Sequence, residues 1–369
     1  MEKRIAPKVI AFYLPQYHPT KHNNEWWGEG FTEWTNVGKA KKLYPGHYQP
    51  KVPADLGYYD LRLSDVKEKQ AQLAKEAGIY GFCYYHYWFS EGNEELELPF
   101  NQVVESGKPD FPFCLCWANE SWYSKFWNKD GSSSKSLLIE QKYLGKEDNE
   151  KHFYSLLTAF KDKRYIRVHG KLLFLIYQPL QFQDFDALKQ QWNQLAEENG
   201  LEGFYFVGQV INHELINQVY KAGFDAVNHC HRLDYVFQYR KSYKIVDVLI
   251  SRIKKLFGFP FIVTYKYAIK HGLCQDDYKA TVYPTMMPNW DHTPRSGDGG
   301  TVLHNSTPEL FKIHALDILK TTKDKPKEDK IVFLKSWNEW GEGNYMEPDL
   351  KFGKGYIYAL KDALEEYKQ

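Results

Sequence analysis

An α/β chain built as a (β/α)₈ TIM barrel is implied by three features of these 369 residues. Eight apolar, β-prone runs recur along the chain, helical stretches separate most of them, and the runs end in polar side chains. Runs that are apolar throughout suit strands covered on both faces, as in a parallel sheet. In such a barrel the carboxyl ends of the strands carry the site. We therefore expect one barrel domain over residues 1–369, with two insertions.

The eight runs are Val9–His18, Gly78–Phe89, Pro112–Ser121, Lys171–Pro179, Gly203–Val210, Phe224–Arg232, Thr281–Asp291 and Ile331–Trp340. They are rich in Val, Ile, Phe and Tyr, which favour strands. Before the second run, Asp65 is placed to cap a helix, with Glu68 completing a capping box and Gly78 stopping it. Val66, Leu73, Ala74 and Ala77 mark the apolar face of that helix. Before the fifth, Phe185, Leu188, Trp192 and Leu195 do the same, followed by Asn199-Gly200. Leu215, Ile216 and Val219 precede Gly223 and the sixth. Leu310, Phe311, Ala315, Ile318 and Leu319 precede the eighth, and Pro308 suits a first helical turn. A last helix over about 356–367 would close the ring.

The polar residues fall where a barrel wants them. Gln16 and His18 end the first run, His86 sits late in the second, and Asn119 and Glu120 end the third. Gln178 and Gln209 end the fourth and fifth; His229, His231 and Arg232 the sixth; Asn289 and Asp291 the seventh; Asn338 and Glu339 the eighth. The alternative, an open doubly wound sheet, would lack this ring, and no Gly-x-Gly-x-x-Gly loop follows the first run. Two long excursions, Pro19–Leu63 and Tyr235–Lys279, are expected to wall a cleft on the catalytic face. The second could instead dock a partner or a membrane surface.

Composition narrows the function. Lys+Arg number 48 against Asp+Glu 47, a net charge of +1 without a long basic run, which argues against a nucleic-acid partner. No stretch reaches the roughly 18 apolar residues of a membrane span, and the N-terminal run is too short and polar for a secretion signal. Cys83, Cys114, Cys116, Cys230 and Cys274 lack Cys-x-x-Cys spacing, and four of them fall inside the runs. They suit reduced core thiols and a cytoplasmic location, unless a leader has been removed. Aromatics make up 17 % of the chain, with 11 Trp and 28 Tyr, which fits either a well-filled core or a carbohydrate cleft. Neither a serine nucleophile elbow nor a phosphate-cradling P-loop is present. The oligomeric state is left open.

The chemistry concentrates at the end of the eighth run, Ile331-Val-Phe-Leu-Lys-Ser-Trp-Asn-Glu-Trp-Gly-Glu-Gly-Asn-Tyr-Met-Glu347. It holds two carboxylates three residues apart beside tryptophans. Glycosidic-bond chemistry needs one acid kept protonated for the leaving oxygen and one kept ionised as base or nucleophile. No Lys or Arg stands between Lys335 and Lys351, so Glu339 and Glu342 are expected to be free of salt bridges. Glu347 could hold a sugar hydroxyl or simply be hydrated. Asn119 and Glu120, between Trp117 and Trp122, are expected to bind hydroxyls, with Glu120 the alternative acid. His18 and His86 could bond substrate or tune a carboxylate, and Tyr85, Trp88 and Trp290 could stack on sugar rings; packing roles are the ordinary alternative for each. Tyr13, His229, Asn338 and Trp340 complete the expected contacts. His229 and His231 could ligate a metal with Asp234, but a third ligand is unclear and paired-acid chemistry asks for no metal or other cofactor. Glu29 and Glu33 either frame the cleft or are surface charges.

Several strings carry a resemblance. Phe12-Tyr-Leu-Pro-Gln-Tyr-His18, Trp26-Trp-Gly-Glu-Gly-Phe-Thr-Glu-Trp34, Leu56-Gly-Tyr-Tyr-Asp-Leu-Arg62, Gly81-Phe-Cys-Tyr-Tyr-His-Tyr-Trp-Phe89 and Cys116-Trp-Ala-Asn-Glu-Ser-Trp122 resemble the WbsX-type proteins. Those are often labelled glycosyltransferases of lipopolysaccharide or capsule synthesis, and they are similar to glycoside hydrolase family 99, the endo-α-mannosidases. The resemblance spans the first strand to the end of the eighth and is densest at Asn338-Glu-Trp-Gly-Glu-Gly343. It implies Glu339 as base and Glu342 as acid in a retaining reaction without a glycosyl-enzyme. The base takes the 2-hydroxyl proton, and that oxygen expels the leaving group to give a 1,2-anhydro sugar, which water opens. The route needs a 2-hydroxyl trans to the leaving group, as in α-mannosides and α-rhamnosides. Family 99 often has His where this chain has Gly341. The implied function is a retaining hydrolase of α-manno- or α-rhamno-type linkages in a bacterial polysaccharide. A transferase of O-antigen or capsule synthesis and a non-catalytic carbohydrate binder are the alternatives.

Overall fold

The computed structural model describes residues 4–127, 133–230 and 258–369. Eight strands form the centre: β1 (Lys8–Tyr13), β2 (Gly81–Ser90), β3 (Phe113–Trp117), β4 (Lys171–Ile176), β5 (Phe204–Val210), β6 (Ala226–His229), β7 (Val282–Met286) and β8 (Ile331–Leu334). Each pairs in parallel with its neighbour in chain order. β1 also pairs with β8, Val9 opposite Val332, so the sheet closes on itself as a (β/α)₈ barrel. All eight expected strands are present, six of them trimmed at their polar ends; the second and fifth keep theirs. Their side chains are buried almost without exception, because the barrel interior covers one face and helices the other.

Eight helices follow the strands: α1 (Ser64–Ala77), α2 (Leu98–Ser106), α3 (Lys146–Lys161), α4 (Phe185–Glu198), α5 (Ile216–Lys221), α6 (Tyr265–His271), α7 (Pro308–Lys320) and α8 (Gly355–Lys368). Phe185, Leu188, Trp192 and Leu195 are the buried stripe of α4, as their spacing requires. Trp192 is fully buried between α3 and the sheet, against Phe153, Phe160, Phe174 and Phe204, and its indole donates to the Asn149 carbonyl at 2.9 Å. Pro308 opens α7 behind a Thr307 cap. α8 packs on α7 and α1 and completes the ring.

One cap differs from expectation. α1 begins at Ser64, its N-cap is Leu63 without a side-chain bond, and Asp65 sits inside the first turn. There its charge complements the helix dipole instead of capping an N–H. The far end is as expected: Gly78 takes the left-handed conformation at φ 84°, with Leu364 2.7 Å from where a Cβ would stand.

The catalytic-face loops are elaborate. Residues 19–63 hold two short helices, Lys21–Trp27 and Glu33–Gly38. An antiparallel hairpin, Trp122–Trp127 with Ser133–Ile139, follows β3. The serine-rich composition of its second strand hid it in the sequence. Residues 231–257 lie outside the described residues, and with them His231, Arg232, Asp234 and the first part of the second excursion. Its described part forms a strand, Phe261–Thr264, parallel to Thr301–His304, followed by α6. This unit packs on Met287, Trp290 and Leu303 of the loop after β7. All five cysteines are free thiols, four of them buried. Among the described residues, no helix is long and apolar enough to cross a membrane.

Candidate active site

β8 delivers the two glutamates through a compact turn. Asn338–Glu339 pairs antiparallel with Asn344–Tyr345, and a single 3₁₀ turn, Trp340–Glu342, joins them. In such a turn residues three apart eclipse one another, which puts Glu339 and Glu342 on one side. Both line an open cleft of about 670 Å³ at the carboxyl ends of the strands. The first loop supplies Asn23, Trp27, Phe31, Glu33 and Asn36 to its wall; β2 supplies Tyr85 and Tyr87; the segment after β3 supplies Glu120 and Trp122. None of the described residues of the second excursion lines it. The described part of that insertion packs beside the loop after β7.

Cations reach both carboxylates, against the expectation drawn from the sequence. Lys335 Nζ stands 3.1 Å from Glu339 and donates to the Tyr85 hydroxyl at 2.8 Å. Ser336 Oγ also donates to Glu339. Arg295, from the loop after β7, places Nη1 2.7 Å from Glu342 and Nε 2.9 Å from Glu33. His292 Nε2 lies 3.7 Å from Glu342. One partner sits four residues upstream and the other 47 residues away, so spacing within the loop could not reveal either. Burial pushes the Glu339 carboxyl above its usual range, Lys335 pulls it down, and Glu342 pushes it up again. Burial opposes the Lys335 charge, but Glu339 and Glu342 outweigh that and hold it protonated. Arg295 is likewise held charged, with Glu33 the larger support and Glu342 the next.

Gly341 explains how Glu33 fits. A Cβ there would lie 1.6 Å from Glu33 Oε1 and 3.1 Å from Arg295 Nε. The missing side chain is the space the Glu33 carboxylate occupies. Arg295→Met should remove the cation that Glu33 and Glu342 share. We expect a stability loss of about 3 kcal/mol, the low end for breaking a buried pair, because a quarter of the Arg295 side chain is exposed. Urea unfolding of the native and variant chains at pH 7 measures it.

The other expected contacts sort by strand alternation. Leu14, Gln16, Tyr85, Tyr87, Ala118, Glu120 and Tyr177 face the cleft. The residues between them face away, as a period of two demands. Tyr13 donates to Gln70 at 2.7 Å, and His18 bonds the Pro15 carbonyl at 3.1 Å. His86 meets His152 at 2.8 Å, with burial lowering its pKa to about 3, and Trp88 stacks on His152. Trp117 donates to the Trp88 carbonyl at 2.9 Å. Asn119 is wholly buried, tying Tyr143 to the backbone of Gln178. Asn338 clamps the backbone of Leu14 through two bonds, at 2.8 and 3.0 Å. Trp340 stacks on Tyr345 at 3.7 Å, and Trp290 is buried beside His292. Of the expected substrate contacts, Tyr85, Glu120 and Trp122 line the cleft; Tyr13, His18, His86, Trp88, Trp117, Asn119, His229, Trp290, Asn338, Trp340 and Glu347 do not. Glu33, Tyr87, Tyr177, Arg295 and Lys335 take those places.

Glu347 is a buried brace. It accepts from Trp340 Nε1 at 2.7 Å, Tyr59 at 2.9 Å and Gln70 Nε2 at 2.6 Å. Burial outweighs these bonds and raises its pKa to about 7. A carboxyl whose folded pKa exceeds its unfolded value costs stability once pH rises past the unfolded value. From about pH 4.5 to 7 this group should withdraw on the order of 3 kcal/mol. Unfolding free energies across pH 5–8 should therefore fall for the native chain and run flatter for Glu347→Gln.

His229, Cys274 and Asp277 each bring a donor atom within 4.8 Å of the others. Those atoms already have partners. Asp277 Oδ1 bonds His229 Nδ1 at 2.8 Å and its Oδ2 accepts the Cys274 N–H at 2.8 Å. Lys325 also lends Asp277 its charge. These bonds tie the end of β6 to the loop before β7.

A barrel with paired acids in an aromatic-walled cleft is the architecture of carbohydrate-active proteins. The chain belongs to the family described as Glycosyltransferase WbsX, whose model matches residues 9–360. It is 33 % identical over 370 residues to uncharacterized proteins WxcX of two Xanthomonas campestris pv. campestris strains. It covers 99 % of itself but spans about half the length of those relatives, 50 %. A solved glycoside hydrolase-like protein shares the fold at a TM-score of 0.61 and 16 % identity, covering 100 % of this chain and 96 % of its own. The family 99 endo-α-mannosidase of Bacteroides thetaiotaomicron, with bis-tris propane, superposes at 0.58 and 13 % identity, covering 98 % and 97 %.

Proposed function

We propose that this chain is a retaining glycoside hydrolase acting on α-manno- or α-rhamno-type linkages of a bacterial polysaccharide. The observation that carries the proposal is the joint placement of Glu339 and Glu342 on one tight turn in the aromatic cleft. Burial raises the Glu339 carboxyl, which suits a base that must hold the 2-hydroxyl proton, while Ser336 and Lys335 favour its anionic form before that step. The freed oxygen attacks the anomeric carbon and the glycosidic bond breaks. Glu342 delivers its proton to the departing oxygen. Water then adds to the 1,2-anhydro sugar with the two roles reversed. Arg295 holds Glu342 and Glu33 on one guanidinium and so fixes the position of the acid. Trp27, Trp122, Tyr87 and Tyr177 offer ring faces to the sugar.

The family's description favours a second reading, transfer of a sugar from an activated donor during O-antigen or capsule synthesis. Incubation with α-manno- and α-rhamno-oligosaccharides, and separately with sugar nucleotides plus acceptor, distinguishes the two by mass spectrometry. Shortened products without nucleotide are the expected outcome. Chain extension that depends on the nucleotide sugar would replace the hydrolase with a transferase, and unaltered glycan in both arms would leave only a binding protein.

A further inference from the structure

A second depression of about 340 Å³ lies between the start of α3 and the outer face of α4. Its floor is aromatic: Tyr143 stacks on Phe182, ring centroids 4.4 Å apart and planes 10° from parallel. Its sides carry carboxamides, Asn149, Gln190, Gln191 and Gln194. Flat rings flanked by amides suit sugar C–H faces and hydroxyls. The fixed charges on its walls, Lys146 and Asp184, balance, so the chemistry favours a neutral chain.

The depression adjoins the cleft. Gln181 lines the cleft and the next residue, Phe182, lines the depression. Asn119 donates to the Tyr143 hydroxyl at 2.8 Å, and its neighbour Glu120 lines the cleft. One wall thus serves both. Resting on the hydrolase proposal above, we infer that this groove holds further residues of a neutral polysaccharide whose reacting bond sits between Glu339 and Glu342. The substrate is then a chain of many sugars, gripped well beyond the bond that breaks.

Gln190→Ala with Gln194→Ala removes two amides from the exposed face of α4, and Ala187→Trp fills the groove from an exposed position. Neither touches the cleft. Retardation of the protein in gels containing yeast α-mannan, and separately a rhamnan, reports polymer binding; calorimetry with the matching tetrasaccharides reports the cleft. Melting curves confirm the fold of each variant. Both variants should bind polymer about tenfold more weakly, a loss of about 1.4 kcal/mol, with tetrasaccharide affinity unchanged. Equal loss for polymer and tetrasaccharide, or none for either, overturns the groove. Tetrasaccharide binding without retardation by either polymer also overturns it but leaves the cleft proposal standing. Binding of neither overturns both.

Discussion

Glu339→Gln and Glu342→Gln should each lower turnover of an α-mannosidic or α-rhamnosidic substrate by about 10²–10⁴-fold, the usual share of a positioned acid or base. Glutamine keeps the shape of the side chain and can still accept from Ser336 or Arg295, but it can neither take nor give the proton. The two variants should then part company on leaving group. A dinitrophenyl glycoside departs without protonation, so it should restore much of the rate to Glu342→Gln. It should do little for Glu339→Gln, whose lost base forms the attacking oxygen. Comparing kcat/KM for a dinitrophenyl and an alkyl glycoside measures this. Rescue of the wrong variant would reverse the two roles, and unchanged rates in both would remove the pair from catalysis.

Gly341→Ala should be the most damaging change of a residue that carries no charge. Its Cβ would stand 1.6 Å from Glu33 Oε1 and 2.7 Å from the Glu33 carboxyl carbon. Glu33 is 1 % exposed, so it has little room to yield, and its retreat would leave Arg295 paired with Glu342 alone. Overpacking of this kind costs about 1–3 kcal/mol. A double-mutant cycle isolates the cause. Once Glu33→Ala has emptied the space, adding Gly341→Ala should cost almost nothing, giving a coupling of about 1–3 kcal/mol by urea unfolding. Additive losses would mean that the glycine is needed for something other than the carboxylate beside it. Turnover should also fall in the single variant, since Glu33 would be displaced from the cleft wall.

The barrel was legible because its signal is repeated eight times. Most strands, such as Ile331–Leu334, are apolar on both faces over most of their length, as a sheet covered on both sides requires. The acids were legible because they share one turn. The contacts around them were not, for two reasons. Polar residues at a strand end alternate between the cleft and the packing behind it. Choosing His86 and Trp88 together with Tyr85 therefore broke a rule of period two that, once applied, selects Tyr85 and Tyr87. Asn119 against Glu120 is the same case. Arg295 is a different one: it stands four residues past Asp291 in a glycine-rich loop, and only three-dimensional closure brings it to Glu33, 262 positions earlier.

The Glu347 brace bears on engineering. Its three donors come from the first loop (Tyr59), from α1 (Gln70) and from the acid-bearing turn itself (Trp340), and Gln70 in turn receives the β1 hydroxyl of Tyr13. A chimaera that borrows residues 336–347 alone would import a carboxyl stripped of two of those companions. Such a graft must travel with Tyr59 and Gln70, so the transferable module is a scattered trio of segments and not a contiguous stretch of chain.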